Sequence, residues 1–392
     1  MRIGLVTGEY PPMQGGVGAY TRVLAQTLVK KGHDIFIFSD AQADDPTLSI
    51  TKTDKGWGLS TMRMINRWAH HNQLDVVNLQ FETAAFQMSP WVHFLPEFLR
   101  DTPLVTTFHD LLVPYLFPKA GRLRQWIVQR LAKRSHGVIV TNQEDFQQVQ
   151  HLMHAVLIPI GSNIPNKLPS NYQRDEWRKK AGATPRDFLV AYFGFINHSK
   201  GVDILIEDVA HIKKTSQVPI KVVLIGGRTG SSDPSNQEEA QKIDRLIEQH
   251  NIQDIITWTG FVDDEAVSAY LTASDVVALP FRDGASYRRG SLMAAIQHGC
   301  AIVTTRPKVN IPLFKNGENM LLVQQEILDE DCPPYLHISH ALLQLYRRPS
   351  LLHKLRQGAR DLAHEFNWSV IADDCLAMYE AVLNSRQSTS SH

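Results

Sequence analysis

RIGLVTGEYPPMQGGVGAYTRVLAQTLVKKGHDIFIF, residues 2–38, is the stretch on which the fold turns. A compact apolar run, Arg2–Thr7, gives way to a glycine- and proline-containing loop, Gly8–Gly18. From Ala19 to Lys31 the apolar residues Val23, Leu24 and Leu28, with Thr27, fall on one helical face. Gly32 ends that helix, and Asp34–Phe38 is the next short apolar run. The same alternation continues through Val76–Leu79, Leu104–Thr107 and Val138–Thr141, the pattern of a parallel sheet with helices on both faces. After Leu157–Pro165 the chain turns polar, and Asn166–Arg186 reads as a linker. The rhythm then restarts with Phe188–Phe193, Lys221–Ile225, Ile255–Thr259, Val276–Leu279 and Ala301–Thr304. Two similar α/β units in one chain are the expectation. The tail, Leu351–Leu383, reads as two helices broken near Phe366–Trp368, and the polar end Ser385–His392 reads as disordered.

At 392 residues the chain can bury two cores, and 43% hydrophobic with 20% charged residues is an ordinary globular mix. Forty basic residues cancel forty acidic ones, so net charge gives no argument for a nucleic-acid partner. Cys300, Cys332 and Cys375 are too few and too scattered for a disulfide framework or a zinc site, which fits a reducing cytoplasm. The opening residues lack a charged region followed by a cleavable apolar run. No apolar stretch approaches the roughly 18 residues that span a bilayer. A cytoplasmic protein is expected, touching a membrane at most from its surface.

Four constellations carry chemistry. Gly15, Gly16, Val17 and Gly18 lie between the first strand and the first helix, where bare backbone and a helix start can meet a phosphate. A plain glycine-rich turn is the competing explanation, and GxGxxG is not met, which disfavours a nicotinamide cofactor. His109 follows the run Leu104–Thr107, at the carboxyl end of a strand, where open α/β sheets bind ligands. There it can bond a sugar hydroxyl or shuttle a proton, and it is the candidate catalytic residue. Lys200, in GFINHSKG (194–201), can hold a phosphate as a point charge, though taken alone it reads better as a solvated lysine. In PFRDGASYRRGSLMAAIQHG (280–299), Asp283, Ser286, Arg288, Arg289, Gly290 and Ser291 follow a strand and open an apolar helix, a cradle suited to a diphosphate.

With these residues in place the chain resembles the retaining glycosyltransferase family 4 over nearly its whole length. The likeness rests on GEYPPMQGGVGAYTRVLAQTLVKKGHDI, TTFHD, LIPIGSNIP, FGFINHSKGVDILI, VVLIGG, ITWTGFVDDEAVSAYLTASDVVALPF and the closing FNW…Y. It implies an α/β GT-B fold: two Rossmann-like domains facing a central cleft, with the last helix crossing back onto the N-terminal domain. The implied division is an acceptor domain over 1–165, joined by 366–392, and a donor domain over 166–365. By the resemblance, Gly16 and its neighbours Gly15 and Val17 face the donor phosphates and the acceptor. His109 contacts the donor sugar, Lys200 binds the diphosphate, and the loop Ser286–Ser291 offers amides to it. The family's usual arginine is replaced here by Phe195, and its paired glutamates, eight positions apart, fall on Ser286 and Ala294. The second of those glutamates normally holds the nucleotide ribose. Arg288 and Arg289 are the candidates to restore the missing charge from the opposite side.

The implied reaction is glycosyl transfer with retention from a nucleotide sugar, which is a substrate, so that no cofactor and no metal is called for. The acceptor is a glycan, a lipid or a small molecule. Competing readings are a sugar-nucleotide epimerase or phosphorylase on the same fold, and a binding protein that has lost the reaction with its glutamates. GRLRQWIVQRLAKR (121–134) has Leu123, Ile127 and Leu131 at helical spacing among Arg122, Arg124, Arg130, Lys133 and Arg134. It reads as a helix packed on the sheet with a basic face, with weak contact to an anionic membrane as the alternative.

Overall fold

The structure, a computed structural model, describes residues 1–13, 15–111, 121–227, 234–324 and 336–390. The side chains of 121–125, 234–236, 336–337 and 387–390 lie outside that description, and so does Cys332. The contacts divide the chain into two units, one formed by Met1–Asn163 with Asn367–His392 and the other by Ile164–Phe366.

The first unit is built on a seven-stranded parallel sheet. Its strands are β1 (Arg2–Thr7), β2 (Asp34–Asp40), β3 (Ser49–Thr53), β4 (Val76–Phe81), β5 (Leu104–Phe108), β6 (Gly137–Val140) and β7 (Ala155–Leu157), in the order β3-β2-β1-β4-β5-β6-β7. The central strands are buried on both faces, which is why their sequences are near-continuous apolar runs. The order reverses between β1 and β4, so the loops leaving those two carboxyl ends diverge and open a crevice. One face of the sheet is covered by the Gly16–Lys30 helix together with the last helix, Trp368–Ser390. Ile371, Ala372, Cys375, Met378, Tyr379 and Val382 form a helical stripe on that last element and pack with Ile3, Leu5, Tyr20, Leu24 and Leu28. Trp368 donates its indole N–H to the Ser162 carbonyl at 2.7 Å, which pins the start of the stripe.

The second unit holds a six-stranded parallel sheet, β8 (Phe188–Phe193), β9 (Ile220–Ile225), β10 (Ile256–Gly260), β11 (Val276–Leu279), β12 (Ile302–Thr305) and β13 (Leu321–Val323). Its order is β10-β9-β8-β11-β12-β13, with the reversal between β8 and β11. Gly201 closes the loop after β8 with φ 66°, and a Cβ there would stand 2.1 Å from the Pro280 carbonyl oxygen after β11. Only glycine lets those two loops approach so closely.

Several details depart from the sequence reading. The first helix begins at Gly16 and ends at Lys30, earlier than Ala19–Lys31. Within the expected linker, Arg174–Lys180 is a helix, held by Arg178, which is 1% exposed and pairs with Asp275 at 3.0 Å. The break near Phe366–Trp368 is a short 3-10 turn, His364–Phe366, after which the last helix continues through Ser390 into the stretch read as disordered. The Gly121–Arg134 helix is present; Leu131 is buried and Ile127 packs on the core, while Arg130 pairs with Glu97 at 2.7 Å and lies over the Phe94 ring. The side chains of Arg122, Leu123 and Arg124 lie outside the described residues. Among the described residues no helix is long and apolar enough to cross a membrane.

Candidate active site

In the first unit, side chains gather on the loops that leave β1, β4 and β5. Glu9 follows β1, and its carboxylate accepts the amides of Val17 at 2.9 Å and Gly18 at 3.2 Å. A Cβ on Gly15 would sit 2.1 Å from that carboxylate, so the glycine is what admits it. Of the backbone expected to face a phosphate at Gly15, Gly16 and Val17, the Val17 amide is thus engaged by an internal anion, together with that of Gly18. The carboxylate satisfies donors that have no helical partner and complements the helix dipole. Gly16 has no neighbour within 4 Å of where its Cβ would stand.

His109 comes directly after β5, and its own amide extends the ladder to the Phe81 carbonyl at 3.0 Å. Its ring meets the Tyr20 ring edge-on, centroids 4.7 Å apart, and its Nε2 lies 2.9 Å from Gln80 Oε1 on β4. Burial lowers its pKa to about 3, so the imidazole is neutral at physiological pH. One residue past β4, burial raises the carboxyl of Glu82 to about 7, with Glu9 and Asp110 adding like charge. Gln80, Glu9 and Glu82 went unnoticed in the sequence, because each reads as one polar residue beside an apolar run.

In the second unit the loops after β8 and β11, the two strands at the reversal, bring the expected residues together. Lys200 Nζ and the Arg289 guanidinium lie over the Phe281 ring, at 5.6 and 4.8 Å from its centroid. Arg289 donates to Asp283 and reaches Ser199 Oγ at 3.4 Å, while Arg288 stands 4.0 Å from the same Asp283. Lys200 and Ser291 approach each other across Gly194: a Cβ there would be 3.7 Å from Lys200 Nζ and 3.9 Å from the Ser291 Cβ. The lysine loop is fixed by Asn197, whose side chain accepts the Lys200 amide at 3.2 Å. Gly290 and Ser291 begin the apolar helix Gly290–Gln297.

Burial lowers the Lys200 pKa to about 8; Arg289 pushes the same way and Asp283 opposes. Burial likewise lowers that of Arg289. Among the described residues, Ser286 Oγ, Ser291 Oγ and Arg289 Nε are buried without a hydrogen-bond partner. Leaving each so costs on the order of 1–3 kcal/mol. Two cations and two idle hydroxyls at a strand-order reversal suit a phosphate, whose oxygens only accept. Phe195, in the place of the arginine, is 42% exposed, and Ala294 is wholly buried. Neither offers a polar group to a ligand. Among the described residues no cluster of three His, Cys, Asp or Glu is placed to hold a metal.

Comparison with known proteins agrees from both ends of the chain. Residues 14–161 match Glycosyltransferase Family 4, and residues 173–361 match Glycosyl transferases group 1. A phosphatidyl-myo-inositol mannosyltransferase of Propionibacterium freudenreichii is 24% identical, over 97% of this chain and 94% of its own. A D-inositol 3-phosphate glycosyltransferase of Rhodococcus erythropolis is also 24% identical, covering 96% and 88%. Among solved structures, Anabaena HepE in complex with UDP and glucose superposes with TM-score 0.75 at 16% identity, covering 97% of this chain and all of that one. The sucrose-phosphate synthase of Thermosynechococcus elongatus gives 0.74 at 19%, covering 98% and 99%. Two contiguous family matches and two doubly wound parallel sheets make one statement: the chain belongs to glycosyltransferase family 4 and is a glycosyltransferase of the GT-B fold.

Proposed function

We propose that the protein moves a hexosyl group, with retention at the anomeric carbon, from a nucleoside-diphosphate sugar to a hydroxyl of an inositol-type polyol, free or carried on a lipid. The observation that carries the reading is the pairing of Lys200 and Arg289 over Phe281 with the unpartnered hydroxyls of Ser286 and Ser291. In this reading the two cations hold the donor diphosphate and stabilise the charge that grows on it as the glycosidic bond breaks. The leaving phosphate oxygen then takes the acceptor proton on the same face of the sugar, so no protein nucleophile is required. Arg289 stands in for the cation that Phe195 does not supply. The UDP bound to HepE supports the nucleotide, and the inositol compounds in the names of the two mannosyl- and glycosyltransferase relatives support the acceptor.

The test is a thermal-shift screen with UDP, GDP, ADP and TDP and their sugars, followed by turnover with inositol and phosphatidylinositol acceptors and by NMR of the product's anomeric proton. Stabilisation by one nucleotide and an α product from an α donor are expected. A folded protein stabilised by none of them ends the proposal. Ser286 and Ala294, in the places of the paired glutamates, favour one second reading, a binding protein. Tight donor binding with no transfer to any acceptor is its signature.

A further inference from the structure

Beneath His109 runs a chain of buried polar side chains that a parallel sheet has no need of. Asn78 and Gln80 on β4 are wholly buried, and Thr107 on β5 is 1% exposed. The register sets Gln80 beside Thr107, and Asn78 donates its amide to Thr107 Oγ1 at 3.0 Å, while the Thr107 hydroxyl reaches Asn78 Oδ1 at 3.2 Å. Gln80 in turn donates its side-chain amide to Asn78 Oδ1. With its NH2 turned toward Asn78, the carboxamide presents its oxygen to His109, and that oxygen is the atom 2.9 Å from Nε2. An oxygen acceptor at that distance requires Nε2 to carry the proton.

We infer that Gln80 is a positioning residue that locks His109 in the Nε2–H form, leaving Nδ1 as a bare lone pair that accepts a hydrogen bond from a substrate hydroxyl. Nδ1 has no hydrogen bond to a described residue and is not among the buried unpartnered atoms. A neutral imidazole aiming a lone pair repels a phosphate oxygen and welcomes an O–H. Of the two roles open to His109 from its place after β5, hydroxyl recognition or proton shuttling, the lock fits the first, and the low basicity that burial gives the ring weighs against the second. A ring whose pKa lies near 3 yields no proton at neutral pH and holds none to give from Nδ1. Burying an unpaired Gln and Asn in the sheet would be costly, so the network makes sense as a fixed scaffold for one ring orientation. The hydroxyl-recognition half of this inference rests on the proposed glycosyl transfer; the tautomer does not.

The experiment is long-range 1H–15N correlation on protein labelled at histidine nitrogens, with His109→Gln identifying the signal. Wild type is expected to show a protonated Nε2 and an unprotonated Nδ1, unchanged from pH 5 to 9. Gln80→Glu places a carboxylate against Nε2 and raises the ring's pKa into the observable range. Both nitrogens then become protonated at low pH, and kcat/KM for the donor falls about tenfold per pH unit below that new pKa, a limb absent from wild type. Gln80→Met, close in shape and without the amide, is expected to mix the two tautomers without moving the pH profile in this way. A wild-type ring protonated at Nδ1 overturns the inference. So does a Gln80→Glu protein whose His109 signals do not titrate. The spectra are read without turnover, so a protein that transfers no sugar can still confirm or refute the lock.

Discussion

Replacing Arg289 with methionine keeps a flexible chain on the Phe281 ring and removes the charge. In the free protein the guanidinium is already paired with Asp283 and its side chain is only 12% exposed, so a ligand must share it with that carboxylate. A charge-assisted hydrogen bond to phosphate contributes about 1.5–3 kcal/mol. Sharing with a partly exposed carboxylate takes back up to about 1 kcal/mol. The remainder, about 0.5–3 kcal/mol, predicts that Arg289→Met weakens nucleoside-diphosphate binding by more than about twofold and up to about a hundredfold. The reciprocal change, Asp283→Asn, releases the guanidinium and should tighten the same ligand by up to about fivefold. Calorimetric titration of whichever nucleotide stabilises the wild type reads both. Binding by Arg289→Met within twofold of wild type, with Asp283→Asn also unchanged, would refute the assignment of this cation to the phosphate.

Gly201→Ala forces a Cβ against the Pro280 carbonyl at φ 66°, next to Lys200; it should cost more than about 1 kcal/mol of stability and weaken nucleotide binding, measured by urea unfolding and titration. Ile371→Ala, at a wholly buried site on the last helix, should cost about 2–5 kcal/mol, read by the shift in urea midpoint. Asp208 is wholly buried in the Val202–Thr215 helix, and burial raises its carboxyl to about 8, against a lowering by Ser339. A pKa raised on folding gives stability that is present below the unfolded value of 3.8 and lost as pH rises toward 8. The unfolding free energy should therefore fall by up to about 1.4 kcal/mol per pH unit across that window. Asp208→Asn should flatten the slope, and parallel slopes in the two proteins would count against the role.

The βαβ rhythm was legible because the central strands are covered on both faces and so spell out apolar runs. The three strands that went unseen, β3, β7 and β13, all lie at sheet edges. Their sequences, SITKT, AVL and LLV, are short or mixed because one side lacks a neighbouring strand to bury them. The residues around Lys200 and Arg289 were readable because each lies on the loop that leaves a strand and leads into a turn or helix. The relay beneath His109 was not. Asn78 and Gln80 inside VVNLQF gain their meaning from Thr107 and His109, which lie 29 residues further on and meet them only through the register of β4 with β5. Glu9 was hidden for the same reason, its partners being two backbone amides that carry no sequence signature.

The packing of the last helix beside the first also sets an order of events during synthesis. Residues Ile164–Phe366 are contiguous, so that unit has its whole core in hand before Asn367–His392 are made. The other unit, begun first, has one face of its sheet bare until Ile371 through Val382 emerge and cover Ile3, Leu5, Leu24 and Leu28. The half of the protein made earliest is thus completed last. Loss of residues 367–392, to a premature stop or a protease, would strike the unit built from Met1–Asn163 rather than the unit that precedes them in sequence.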